Sequence, residues 1–250
     1  MEHSIKNPPA EIHEPKWFTT THWSIVLAAG GEGEKARTSL ERLCATYWYP
    51  LYAYVRRRGF DPADAEDLTQ GFFVHLLQQN RLRRADTSRG RFRTFLLAAM
   101  QNFLNDHRDY VGRVKRGGRQ TIVSWDAHGA ESRYALEPQD QITPEVLFDR
   151  RWAVLTLNRV REQLQAEYHA AGKGGIYDLL SADVDGAELS YEEIALRLGT
   201  SESAIKSAAH RLRQRLREVL WEEVAQTVSS PDEMQMELRT LVAAAAAEGL

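Results

Sequence analysis

The stretch SYEEIALRLGTSESAIKSAAHRLRQRLR, residues 190–217, decides the fold of the second half of the chain. Ser190 with Glu193 three residues later forms a capping box, in which two free N–H groups at a helix start are satisfied reciprocally. Ile194, Ala195 and Leu198 then share one helical face, and Gly199 can take the positive φ that ends a helix. Thr200-Ser201-Glu202 supplies a turn and a second N-cap, after which Ile205, Ala208, Ala209 and Leu212 face back onto the first helix. Ala195 is small where two helices must cross closely, and Ile205 plugs the angle between them. This spacing predicts a helix-turn-helix. The outer face of its second helix offers Ser203, Lys206, Ser207, His210, Arg211 and Arg213, short or basic side chains suited to major-groove edges and phosphates. The plainer alternative is a helical hairpin with a basic solvated face.

Working outward, helical spacing dominates from Thr20 onward and no strand pattern of weight is present, so the expected class is all-α. Leu40, Leu43, Cys44, Tyr47, Leu51, Tyr54 and Val55 recur at three and four residues, with Pro50 expected to kink or split that helix. A second helix starts at Asp61-Pro62 and buries Ala65, Leu68, Phe72 and Leu76. A third runs from Phe92 to about Tyr110, with Phe95, Leu96, Ala99, Phe103 and His107 on its inner side. Glycines 112, 117, 118 and 129 then break the periodicity. Thr143-Pro144 reopens it with a helix to about Ala170, a short helix lies near Ile176–Leu180, and Ser230-Pro231-Asp232-Glu233 caps a last one. The expected layout is a disordered arm (1–19), a helical domain (20–111), a flexible linker (112–142), a second helical domain with the helix-turn-helix (143–228) and a helical extension (229–250).

The formal net charge of the 250 residues is −3, which by itself does not suggest a nucleic-acid partner. Its distribution does. Residues 81–119 hold eleven Lys and Arg against three Asp and Glu, and residues 201–217 hold five against one. Residues 126–149 carry six acids and one Arg, and residues 218–250 seven acids and one Arg. Two basic islands flanked by acidic segments are electrostatic footprints for a polyanion. In the first island, Phe92 and Phe95 are interleaved with Arg81, Arg83, Arg84, Arg89, Arg91 and Arg93. An aromatic beside arginines can stack on an exposed base, though each Phe taken alone reads better as a buried anchor. Asp64, Glu66 and Asp67 make an acidic patch near a helix start, explained either by the helix dipole or by a basic protein partner.

Three of these segments resemble the bacterial sigma factors of RNA polymerase. Ala65-Glu66-Asp67-Leu68-Thr69-Gln70-Gly71-Phe72-Phe73 resembles their core-binding helix. Arg89-Gly90-Arg91-Phe92-Arg93-Thr94-Phe95-Leu96, with Asn102 and Asp106, resembles the segment that melts and reads the minus-ten element, and residues 189–217 resemble the reader of the minus-thirty-five element. In order and separation they look like the small extracytoplasmic-function type, over about residues 20–245. The resemblance implies that Asp64, Glu66, Asp67 and Gln70 contact the clamp helices of the polymerase large subunit. It implies that Arg84, Arg89, Arg91, Arg93 and Asn102 lie along the minus-ten strand, with a flipped base captured within residues 82–89. It places Ser201, Ser203, Lys206, Ser207, His210, Arg211 and Arg213 against the minus-thirty-five duplex. The implied partners are core RNA polymerase, promoter DNA and, as a further candidate, an anti-sigma protein; no cofactor, metal or catalytic residue is implied. The sequence departs from the family at Phe95, where many members have Trp, at the longer stretch 150–175, and at the turn Glu202-Ser203-Ala204.

Other function classes fare less well. A stand-alone helix-turn-helix regulator would leave the arginine cluster and the acidic helix unexplained. An enzyme built on Asp106, His107 and Asp109 would need His107 on the face of the two acids, whereas it points about a quarter-turn away. The single cysteine, Cys44, excludes a disulfide framework, and no apolar run approaches a membrane span, so the expected location is the cytoplasm. The acidic tail beyond Glu218, or the acidic linker, is expected to screen a basic face until polymerase binds.

Overall fold

The computed structural model describes residues 34–78, 91–113, 129–137, 142–182, 189–225, 227–228 and 230–248. Every regular element among them is a helix. They are α1 (Glu34–Arg57), α2 (Pro62–Gln78), α3 (Phe92–Arg113), α4 (Ala130–Ala135), α5 (Pro144–Ala170), α6 (Gly174–Ala182), α7 (Tyr191–Leu198), α8 (Glu202–Ala225) and α9 (Pro231–Glu248). The all-α class follows. The expected arm, Arg84 and Arg89 with the base-capturing loop, and much of the expected linker lie outside the described residues.

Pro50 does not split the helix, and α1 runs through it as one element. Proline removes the N–H that would bond the carbonyl of Thr46, at a usual cost of about 3 kcal/mol. Burial outweighs that cost: Tyr47, Trp48, Tyr49, Leu51, Tyr52, Ala53, Tyr54 and Val55 are all buried, on every side of the helix. α1 is therefore the central rod, not an amphipathic surface helix. α2 lays Ala65, Leu68, Phe72 and Leu76 on it, and α3 contributes Phe92, Leu96, Met100 and Leu104. That stripe on α3 is turned from the expected one, so that Phe95, Ala99 and Phe103 are only half-buried. Phe92 meets Tyr47 edge-on at 5.4 Å between ring centres, the geometry that ring quadrupoles favour.

Within the stretch expected as linker, α4 is docked on α1 by charge. Both oxygens of Glu131 accept from Arg56 at 2.7 and 2.8 Å, and Tyr52 donates to Oε2 at 2.6 Å. Tyr49 donates to Glu137 at 2.7 Å, and Arg151 of α5 lies 2.9 Å from the same carboxylate.

The domain boundary expected at residue 143 separates motifs but not cores. Thr143 caps α5 by accepting from Val146 N–H at 3.3 Å, and the first half of α5 (Leu147, Phe148, Trp152, Ala153) is buried with α1. Its second half turns Val160 and Leu164 toward Tyr177 of α6 and Val219 of α8. Arg215 pairs with Glu167 at 2.9 Å and Arg159 with Glu223 at 3.0 Å, so α5 and α8 run antiparallel. The end of α8 (Val224, Ala225), Val228, and Met234, Leu241 and Ala244 of α9 complete the first core. The C-terminal extension thus packs against the first domain.

The Arg56–Glu131 clasp makes a pH prediction. The Arg56 hydrogen bonds hold the Glu131 carboxyl below its ordinary value of 4.5. Its contribution is complete above pH 4.5 and is lost as pH falls through the lower folded value. Thermal midpoints measured from neutral pH downward should fall more steeply in the native chain than in Glu131→Gln; parallel curves would show that the clasp contributes nothing.

Candidate nucleic-acid interface

The helix-turn-helix forms by the chemistry read from its sequence. Ser190 Oγ accepts from Glu193 N–H at 3.2 Å while Glu193 accepts from Ser190 N–H at 2.8 Å. Gly199 ends α7 at φ +61°, where a Cβ would be strained. Ser201 Oγ accepts from Ala204 N–H at 3.3 Å and opens α8. Ile194, Ala195, Ile205, Ala208 and Ala209 close the core between the two helices.

Ser201, Ser203, Lys206, Ser207, His210, Arg211 and Arg213 are all exposed, opposite that core. Four of them also have partners within the chain. The Ser201 hydroxyl caps α8 and lies 3.2 Å from that of Ser203. Arg213 donates to the Tyr191 hydroxyl, which ties the recognition helix to its partner. Lys206 sits 2.7 Å from Glu202 one turn back, and this hydrogen bond raises its pKa further, so it is charged at any working pH. Lys206, Ser207, His210 and Arg211 therefore occupy the first turns of a 24-residue helix, about 36 Å long, whose far end is anchored in the first core.

On α2, Asp61 caps the helix by accepting from Asp64 N–H at 2.8 Å. Asp64 and Asp67 are exposed, Glu66 and Gln70 are half-buried, and Gln70 donates to Glu66 at 3.1 Å. These four stand on the outer side of the helix, opposite Ala65, Leu68 and Phe72.

At the start of α3 one expected strand contact is turned inward. Arg93, expected along a DNA strand, is 3% exposed. Its Nε and Nη2 donate to the two oxygens of Glu237 at 3.2 and 2.5 Å, its Nη1 pairs with Asp149, and its guanidinium lies 4.7 Å from the centre of the Trp152 ring. Burial opposes its charge, but the Glu237 hydrogen bonds and the two carboxylates more than compensate, so its pKa rises. In this conformation two carboxylates and an aromatic face satisfy the cation. Arg91 is half-buried, with Nη1 3.6 Å from the same Glu237. Asn102 is exposed two turns farther along α3. Phe92 is fully buried and its N–H donates to the Thr227 carbonyl at 3.0 Å.

Asp149, Glu237 and Trp152 were not singled out in the sequence. A signal for Glu237 was present: Met234, Glu237, Leu241 and Ala244 fall on one stripe of α9, which puts a carboxylate at a core position. Among the described residues no three His, Cys, Asp or Glu side chains group as a metal site would require, and no helix is long and apolar enough to cross a membrane.

Comparison with known proteins addresses the segments carrying these surfaces. Residues 45–113 match the family model described as Sigma-70 region 2, and residues 185–216 match Sigma-70, region 4. The chain is 25% identical over 231 residues to the ECF RNA polymerase sigma factor SigE of Mycolicibacterium smegmatis, covering 89% of this chain and 80% of that protein. No solved structure matches.

The buried cluster carries a prediction. Removing one member of a buried ion pair typically costs about 3–5 kcal/mol, because the partner is left charged and dry. Arg93→Ala should lose stability of about that size in urea unfolding. A loss below about 1 kcal/mol would mean that Glu237 and Asp149 regain water without disturbing the core.

Proposed function

We propose that the chain is a sigma factor of the sigma-70 family, of the extracytoplasmic-function type, whose surfaces divide the work of initiation. It associates with core RNA polymerase and directs promoter-specific transcription by recognising minus-ten and minus-thirty-five elements. A stand-alone regulator would not carry a region 2, so that alternative falls. Sigma factors select the start site and leave RNA synthesis to the polymerase.

The residue roles are our assignment. The strip Asp64, Glu66, Asp67 and Gln70 docks on a basic surface of the polymerase. Acids beside a capped helix start are stable there without a partner, which lets them be presented ready-made. Lys206, Ser207, His210 and Arg211 enter the minus-thirty-five major groove, while Ser201, Ser203 and Arg213 fix the turn and the angle of entry. Arg91 and Asn102 face the minus-ten strand together with Arg84 and Arg89, which precede them in sequence. Residues 20–111 then form the polymerase and minus-ten unit, 143–228 the minus-thirty-five unit, and 229–250 an added helix. The working compartment is the cytoplasm, and an anti-sigma protein is a further candidate partner.

The observation that carries this reading is the seven-residue exposed set around the capped start of α8, in a chain that also holds region 2. Co-elution with core polymerase on size exclusion tests it. Asp64→Ala with Asp67→Ala should abolish co-elution without lowering the thermal midpoint, since both side chains are exposed. Retained co-elution would place the docking surface elsewhere.

A second measurement addresses the groove. Arg211→Ala should make the salt dependence of duplex binding shallower by about 0.9 in log K against log salt, the loss of one phosphate contact. An unchanged slope would remove Arg211 from the interface.

A further inference from the structure

The start of α3 is a phosphate site already filled by the chain itself. It brings together Arg91, Arg93 and the Phe92 N–H of a helix N-terminus, the donor types that bind an anionic backbone. All three are occupied from the C-terminal segment. The Thr227 carbonyl accepts the Phe92 N–H at 3.0 Å. Glu237 takes Arg93 through both oxygens and has Arg91 at 3.6 Å. A carboxylate held by an arginine fork has the geometry of a phosphate held by the same fork.

Stability alone does not account for a carboxylate at that place. Glu237 is 0% exposed and stands on the apolar stripe of α9 between Met234 and Leu241. A buried ion pair is on average no more stable than an apolar side chain of the same volume. Leucine at residue 237 with an apolar residue at residue 93 would close the same core. What the charge pair adds is a contact that a competing polyanion can replace, because the arginines keep a partner when the carboxylate leaves.

We propose that α9 is an internal latch, in which Glu237 stands in for a DNA phosphate on Arg91 and Arg93 and is displaced when the minus-ten strand is engaged. The inference rests on the sigma-factor reading of α3 and deepens it. In the free chain the latch closes the minus-ten surface; in the polymerase complex the strand takes the two guanidinium groups. Asp149, on α5, stays with Arg93 and steadies it during the exchange.

Glu237→Gln tests the latch without removing the apolar contacts of α9. The probe is fluorescein-labelled single-stranded DNA of randomised sequence, titrated into the free full-length chain at several salt concentrations. Release of two arginines should tighten binding and steepen the slope of log K against log salt by about 1.4, since each phosphate neutralised on a single strand adds about 0.7. Adding Arg91→Gln and Arg93→Gln should cancel the gain. Unchanged or weaker binding with an unchanged slope would make the cluster a permanent staple and overturn the proposal.

A second measurement does not depend on how Glu237→Gln folds. Spin labels on Ala98→Cys of α3 and Met236→Cys of α9, both exposed, report the distance between the two helices. Cys44 is buried and its thiol is pushed up to about 12, so it stays out of the labelling. The distance should lengthen when the labelled chain binds core polymerase and a promoter fragment. Co-elution with polymerase and promoter without lengthening sinks the latch and leaves the sigma reading intact. Absence of co-elution sinks the sigma reading, and the single-strand titration then decides the latch by itself.

Discussion

The guanidinium of Arg93 is the point on which the two halves of the chain meet. It is held by Glu237 from α9, by Asp149 from α5 and by the face of Trp152, also from α5. A cation taken out of water needs both charge and hydrogen bonds around it, and these groups come from two helices far from Arg93 in sequence. The requirement fixes more than one side chain. It sets the rotation of α3 about its axis, which puts Phe92, Leu96, Met100 and Leu104 inward on α1. It also sets the register of α9 on α5, because Met234, Leu241 and Ala244 can be buried together only with Glu237 facing Arg93.

From that junction two long helices carry position outward. α5 and α8 run antiparallel and are joined along their length by Arg159–Glu223, Arg215–Glu167 and the apolar contacts of Val160, Leu164 and Val219. Surface ion pairs contribute little each, about 0–1 kcal/mol, so the apolar contacts provide most of the holding and the charges mainly select the register. One end of α8 lies in the first core and the other presents Ser207, His210 and Arg211. The exposed basic face at the start of α8 is therefore placed relative to α3 through packed helices in this conformation, in spite of the long glycine-bearing segment between the two motifs.

How much of this was legible in the sequence depended on the range of the interactions. The caps of α2, α5, α7, α8 and α9 involve donors and acceptors three residues apart, so Asp61, Thr143, Ser190, Ser201 and Ser230 announced them. The helix-turn-helix core is closed mainly by side chains within about thirty residues of one another, and it was legible for the same reason. Pro50 was misleading because its penalty is local, whereas the burial that overrides it comes from helices distant in sequence. Arg93 read as a strand contact because its neighbours Arg89 and Arg91 are basic. In this conformation its partners lie 56 and 144 residues away, beyond any periodicity. The charge segregation was visible, but only the fold shows that part of the acidic tail is turned into the core.

That segregation also explains how a chain of net charge −3 can address a polyanion. Its acids are not spread as a neutralising background, which would weaken both basic surfaces alike. Several are engaged at defined atoms: Glu237 on Arg91 and Arg93, Asp149 on Arg93, Glu167 on Arg215, Glu202 on Lys206. The environments of these pairs differ in kind. Lys206–Glu202 is open to water, so a phosphate can replace the carboxylate with little desolvation to overcome and salt screens the exchange. The Arg93 cluster is dry, so Glu237 can leave only if its helix moves or another anion arrives in the same step. Contact at α8 therefore requires no rearrangement of the fold, whereas contact at the start of α3 is coupled to the position of α9.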